Sequence, residues 1–174
     1  MSRVPLLSDA EIAPNVAEIF ERMRKAGGQP PNLYRALANA PAMLDAWIGL
    51  AWPLRHDAKT SRALRELVIM RVAGLTDAHY EEHHHRRMAL EAGVSEAQLA
   101  DLARWRDSKR FNEAERAVLA MADAVTRGGK LPDVVHADLQ RHFKPGEIVE
   151  LVLTAAFYNC VSRTLLALEV PLEG

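Results

Sequence analysis

The chain has 174 residues, of which 49% are hydrophobic and 26% charged, with a formal net charge of −1. That length supports one domain with its own core and is short for two. The near-neutral charge excludes a general affinity for nucleic acid or an anionic membrane surface, and the lone cysteine, Cys160, excludes an intramolecular disulfide and fits a reducing compartment.

Taken in chain order, the predicted elements are all helices. The opening Met-Ser-Arg-Val-Pro-Leu-Leu-Ser-Asp has no apolar signal-peptide core, and no run approaches membrane-spanning length, so a cytoplasmic protein without a membrane partner is expected. Ser8 with Glu11 reads as a capping box, and Pro14 suits the first turn of a helix to about Lys25. Gly27-Gly28-Gln29-Pro30-Pro31 breaks it. A short helix is predicted from Asn32 to Asn39, then one from Pro41 to about Arg55 that carries Trp47 and Trp52, with Pro53 distorting its last turn. Thr60 opens a helix to Gly74 whose later half is apolar nearly all round, the pattern of a bundle centre. Its β-branched residues also fit a strand, but its length favours a helix.

Asp77 reads as the start and Gly93 as the stop of the next helix. Ser95 with Gln98 caps a short helix to about Ala103, Trp105 to Phe111 is a charged connector, and Asn112 caps a helix to about Arg127. Pro132 begins another helix, and Pro145 begins the last, which runs to Leu168. Val-Pro-Leu-Glu-Gly is a tail.

Between Asp77 and Gly93, helical projection puts Ala78, Met88, Ala89 and Ala92 on one stripe, with Glu81 and His85 in its middle. A carboxylate and an imidazole one turn apart on an apolar face are costly to bury unless paired. An acid–base site is one explanation. A buried i,i+4 pair that only holds the bundle together is the other. Tyr80 projects off the stripe and His84 lies at its margin; both are candidate substrate donors, or else helix or subunit contacts. Trp52, with Trp47, is a candidate wall of an apolar cavity, or simple core.

His79-Tyr80-Glu81-Glu82-His83 matches the His-x-x-Glu-His pattern of inverted zinc proteases. Both of these histidines project nearly opposite the apolar stripe and spacing supplies no third ligand, so no functional metal site is expected. There is no phosphate-binding glycine loop, Gly-x-Ser-x-Gly turn or dinucleotide fingerprint.

The block Arg65-Glu66-Leu67-Val68-Ile69-Met70-Arg71-Val72-Ala73, followed by Tyr80-Glu81 and His85, resembles the carboxymuconolactone decarboxylase family. That family shares its all-α fold with the alkyl hydroperoxidase D proteins. Pro31 to Leu37 and Phe157-Tyr158-Asn159 are similar to larger members, so the resemblance spans about Pro31 to Leu168. It implies a single helical bundle domain over residues 31–174, with residues 1–30 as an N-terminal helical extension.

In the hydroperoxidase branch this helix carries a Cys-x-x-Cys pair, a histidine four residues later and a glutamate twelve residues before. Those positions here are Ala78, Glu81, His85 and Glu66, so the acid and imidazole match and both thiols are missing. Peroxidase chemistry needs a low-pKa thiolate and a resolving thiol, and Cys160 lies on another helix. The resemblance therefore implies a cofactor-independent acid–base enzyme acting on a small carboxylated lactone or related organic acid. His85 would be the proton donor, Glu81 its orienting partner and Glu66 a second acid–base or positioning group. It also implies a homo-oligomer, a trimer or hexamer. The alternatives are a peroxidase-related protein without the thiol pair and a non-catalytic oligomeric scaffold.

Overall fold

The computed structural model describes residues 2–173, and helices are the only regular elements among them. They are α1 (Pro14–Lys25), α2 (Asn32–Leu37), α3 (Pro41–His56), α4 (Arg62–Thr76), α5 (His79–Glu91), α6 (Glu96–Asp101), α7 (Glu113–Gly128), α8 (Asp133–His142) and α9 (Pro145–Leu168), with a 3-10 turn at Leu102–Arg104. The all-α expectation holds, and the β-branched run from Val68 to Val72 lies inside α4 as a helix. The chain divides into two compact units, one of residues 1–53 with 164–174 and one of residues 54–163.

Several helix starts follow from their capping residues. Ser61 Oγ accepts the Leu64 N–H at 3.3 Å to open α4. Full capping boxes, Ser95 with Gln98 and Asn112 with Glu115, open α6 and α7. Ser8 and Glu11 do bond to each other, at 2.6 Å between side chains, but they close a turn ahead of α1. The helix itself begins at Pro14, because a residue before proline is pushed out of the helical region; Ala13 sits at φ −65°, ψ 155°.

Asp77 likewise departs from its expected role. With φ 54° it is the left-handed residue that ends α4, and Ala78 precedes α5. The same short polar side chain that suits a helix start also tolerates the left-handed region. This two-residue connection folds α5 back against α4, which also packs on α7.

In the first unit, Val16, Ile19 and Phe20 of α1 and Leu33, Tyr34 and Ala36 of α2 are buried. The N-terminal segment is tied down by Arg3, whose N–H bonds the Leu168 carbonyl at 2.8 Å, and Asp9 pairs with Arg24 and Arg35. In the second unit α4 is central, with residues from Arg65 to Ala73 buried without interruption. Leu67 and Met70 pack with Ala89, Leu99, Trp105 and Leu119. Each aliphatic side chain buried in this way contributes about 1.5–3 kcal/mol.

A buried ion pair braces the other end of α4. Arg71 Nε lies 2.6 Å from Asp123 Oδ1, Arg71 also bonds the Leu102 carbonyl at 3.2 Å, and Arg106 holds the second Asp123 oxygen. Burial pushes the Asp123 carboxyl up, but hydrogen bonds from Arg71 and Arg106 outweigh it and hold the group below the usual aspartate range.

The last helix corrects the reading of hydropathy. α9 has 24 residues and a mean hydropathy of 1.5 over its most apolar window, so by length and composition it reaches membrane-spanning size. Half of that window is buried within the protein, as in a core helix of a globular bundle.

Candidate active site

The site is built on the hairpin of α4 and α5. Glu66 stands on the first half of α4, and the return of α5 along α4 brings it opposite His85 at the middle of that helix. Glu81 lies one turn before His85. His85 Nδ1 is 2.8 Å from Glu66 Oε2, and His85 Nε2 is 3.5 Å from Glu81 Oε2. The three residues are buried, at 0% exposure for Glu66, 2% for His85 and 4% for Glu81. The structure thus brings together all three residues expected to carry chemistry, and the shorter contact to the imidazole comes from Glu66, across the hairpin, rather than from Glu81 on the same helix.

Each carboxylate has a different environment. Arg62, four residues before Glu66 on α4, reaches its Oε1 in an ion pair. Glu81 faces the imidazole instead, and its Oε2, 3.5 Å from His85 Nε2, makes no hydrogen bond among the described residues. Burial pushes the Glu81 carboxyl above the usual glutamate range; positive charge at His85, Arg55 and His84 pulls it back without prevailing, and Glu66 adds to the rise. One acid is therefore paired with an arginine, and burial favours the protonated form of its neighbour. Environments that separate two carboxyls in this way assign them different acid–base roles.

Tyr158 on α9 closes one side of the imidazole. Its ring meets His85 edge to face, with centroids 4.9 Å apart at 90°. Arg55, at the end of α3, donates from Nε to the Tyr158 hydroxyl at 3.4 Å. Burial pushes this hydroxyl up to about 12, against the pull of Arg55 and with Glu81 adding to the rise, so it keeps its proton at neutral pH. Arg65, also buried, donates to the Thr60 carbonyl and to the Arg55 carbonyl at 3.3 Å, and Arg62 donates to the same Arg55 carbonyl at 3.4 Å.

Arg62 and Arg55 were not singled out by the sequence reading, and Tyr158 entered it only within the Phe157-Tyr158-Asn159 stretch of the family resemblance, with no role at the site. Arg62 carried a usable signal, since it stands four residues before Glu66 on the same predicted helix. Arg55 and Tyr158 meet the site only through the packing of other helices, which periodicity does not encode.

The accessory candidates fall out differently. Tyr80 is 8% exposed and stacks at a tilt on His84, ring centroids 4.6 Å apart. His84 is half-buried, and its charge acts on Glu81. Trp52 does not wall a closed cavity as core: it is 53% exposed on α3. His79 and His83 are exposed, as helical phase predicts, and no group of three or more metal-ligating side chains occurs among the described residues.

The architecture is that of the alkylhydroperoxidase AhpD-like helical proteins. A peroxidase-related protein of Ralstonia eutropha JMP134, described as an alkylhydroperoxidase AhpD core, superposes with a TM-score of 0.86 at 18% identity, over 99% of this chain and 92% of that one. A peroxidase-related protein of Silicibacter sp. TM1040 gives 0.84 at 18% identity, over 98% and 90%. The debrominase Bmp8, solved in complex with 2,3,4-tribromopyrrole, gives 0.81 at 22% identity, over 97% and 90%. The sequence pattern of the carboxymuconolactone decarboxylase family matches residues 41–124, which include Glu66, Glu81 and His85. No curated protein matches the chain.

Proposed function

We propose that the protein is a cofactor-independent, cytoplasmic acid–base enzyme that acts on a small carboxylated lactone or a related organic acid. The observation that carries this reading is the buried sequence Glu66–His85–Glu81, in which one imidazole bridges an arginine-paired carboxylate and a desolvated carboxyl. Glu66 accepts the Nδ1 hydrogen of His85 and sets the tautomer, which leaves Nε2 facing Glu81. Glu81, biased towards its protonated form, holds the proton that the reaction uses.

For a carboxylated unsaturated lactone the steps balance without a cofactor. The bond to the carboxylate carbon breaks, CO2 leaves, and the electron pair passes through the conjugated system to the lactone carbonyl oxygen. A proton from the Glu81–His85 pair then returns to carbon, and solvent restores it to the pair. Excluding water would raise the energy of the localised carboxylate more than that of the charge-spread transition state, which lowers the barrier.

Turnover of such a lactone, followed as CO2 release, tests the reading. His85→Ala should abolish it with the helical fold retained, and the rate should fall as pH rises through the Glu81 ionisation. Unchanged turnover in His85→Ala and Glu81→Gln, with only stability altered, would instead leave a scaffold. The peroxidase-related neighbours favour a redox reading as second choice. Against it, Cys160 is exposed on α9 while the acid–base residues are buried, and loss of peroxide turnover in Cys160→Ser would be needed to sustain it.

We also read the protein as a homo-oligomer, trimer or hexamer. Val149 and Leu153, on one face of α9, are 56% and 41% exposed, more apolar surface than a helix face in water needs. A strict monomer by light scattering at micromolar concentration would rule this out.

A further inference from the structure

Tyr158 has half of its hydrogen-bonding capacity engaged. Its oxygen accepts from Arg55, and its own O–H meets no acceptor among the described residues although the side chain is only 2% exposed. A buried phenol normally donates to something. The ring cannot be dismissed as distant packing, because its edge-to-face contact fixes it on the imidazole that the acid–base reading places at the centre of the reaction. On another side of that imidazole, Glu81 Oε2 also lacks a hydrogen-bond partner. A donor without an acceptor and a carboxyl oxygen without a hydrogen bond thus flank one histidine.

These two vacancies are complementary to one kind of molecule. A compound that loses a carboxylate or a proton next to a conjugated carbonyl develops negative charge on oxygen and needs a proton on carbon. The first requirement is met by a fixed donor and the second by a carboxyl whose burial favours its protonated form. Arg55 strengthens the donor, since a cation hydrogen-bonded to a phenol oxygen makes its O–H a better hydrogen-bond donor.

We propose that Tyr158, positioned by Arg55, contacts the substrate at the oxygen on which negative charge accumulates, and that the ligand class is an enolate-forming carbonyl compound. This rests on the acid–base reading of the same site. Tyr158 is on this view a catalytic residue and Arg55 a positioning residue. No proton leaves Tyr158; its hydrogen bond to the oxygen shortens as charge builds and relaxes when carbon is protonated.

The probe is 4-nitrophenol, a planar mimic of an enolate whose ionised form absorbs apart from its neutral form, so the bound state is read directly. The wild-type protein is expected to bind the phenolate in preference to the phenol, shifting the bound ligand's ionisation to lower pH. Tyr158→Phe, which keeps the ring against His85, should weaken phenolate binding by at least about tenfold, the loss of one hydrogen bond to a charged group. Arg55→Gln should weaken it several-fold and Arg55→Lys less, with melting temperatures recorded for all three variants; if Tyr158→Phe fails to fold, Arg55→Gln set against Arg55→Lys decides. Wild-type protein that fails to prefer the phenolate, or Tyr158→Phe binding within twofold of wild type, overturns the assignment. Unchanged lactone turnover in Tyr158→Phe would remove the Tyr158 role and leave the acid–base reading intact. Phenolate preference that depends on Tyr158, without any lactone turnover, would do the reverse.

Discussion

Glu81 is a carboxyl whose burial outweighs the positive charge around it, and this has a consequence for stability that is separate from its chemistry. Its folded-state pKa is raised above the ordinary 4.5, so between the two values the folded protein binds more protons than the unfolded chain. The associated stabilisation is complete below the unfolded value and is lost as pH rises through the folded one. Glu81→Gln removes this loss. The variant should melt above the wild type at pH 8–9, and the gap should close as the pH is lowered towards 4; a gap that does not depend on pH would contradict the burial argument. Activity should fall in the same variant, a trade of function against stability common at sites built on a desolvated acid. Glu81 and His85 were legible because an amphipathic helix shows polar residues on its apolar stripe. Glu66 was not visible in that way: it lies in a run that is buried all round, and only the family resemblance marked it. The closer contact of Glu66 to His85 is a property of the hairpin rather than of either helix alone.

At the level of elements, most helices were legible because their punctuation is local. Ser95, Asn112, Pro132 and Pro145 stand where helices begin. The misreadings at Ser8 and Asp77 have one cause, which is that short polar side chains serve turns, helix starts and helix ends alike. Asp77 also offers a test of the hairpin that builds the site. At φ 54°, a β-branched residue meets a clash that aspartate relieves by local hydrogen bonding and glycine avoids. Asp77→Val should destabilise the protein by about 1–2 kcal/mol in chemical denaturation, whereas Asp77→Gly should not. Equal losses in both variants would mean that the aspartate side chain, not the backbone conformation, holds the junction.

Across the whole molecule, composition was a good guide to class and a poor one to exposure. The all-α fold was readable from the α4 block and the α5 motif, yet Trp52 is exposed where aromatic size suggested core, and the burial of Tyr80 could not be told from helical phase. Neither position is set by its own helix; each depends on what other helices cover. α4 links the scales. It carries Arg62, Arg65 and Glu66 at one end and Arg71 at the other, with buried residues continuous between them. A segment buried along that length has no low-energy opening that bares one end and spares the other. The Glu66–His85–Glu81 cluster and the core are consequently one cooperative unit: any fluctuation large enough to dismantle the carboxylate–imidazole contact must also melt the hydrophobic packing around Leu67 and Met70, and the imidazole contact and helicity should be lost in a single transition.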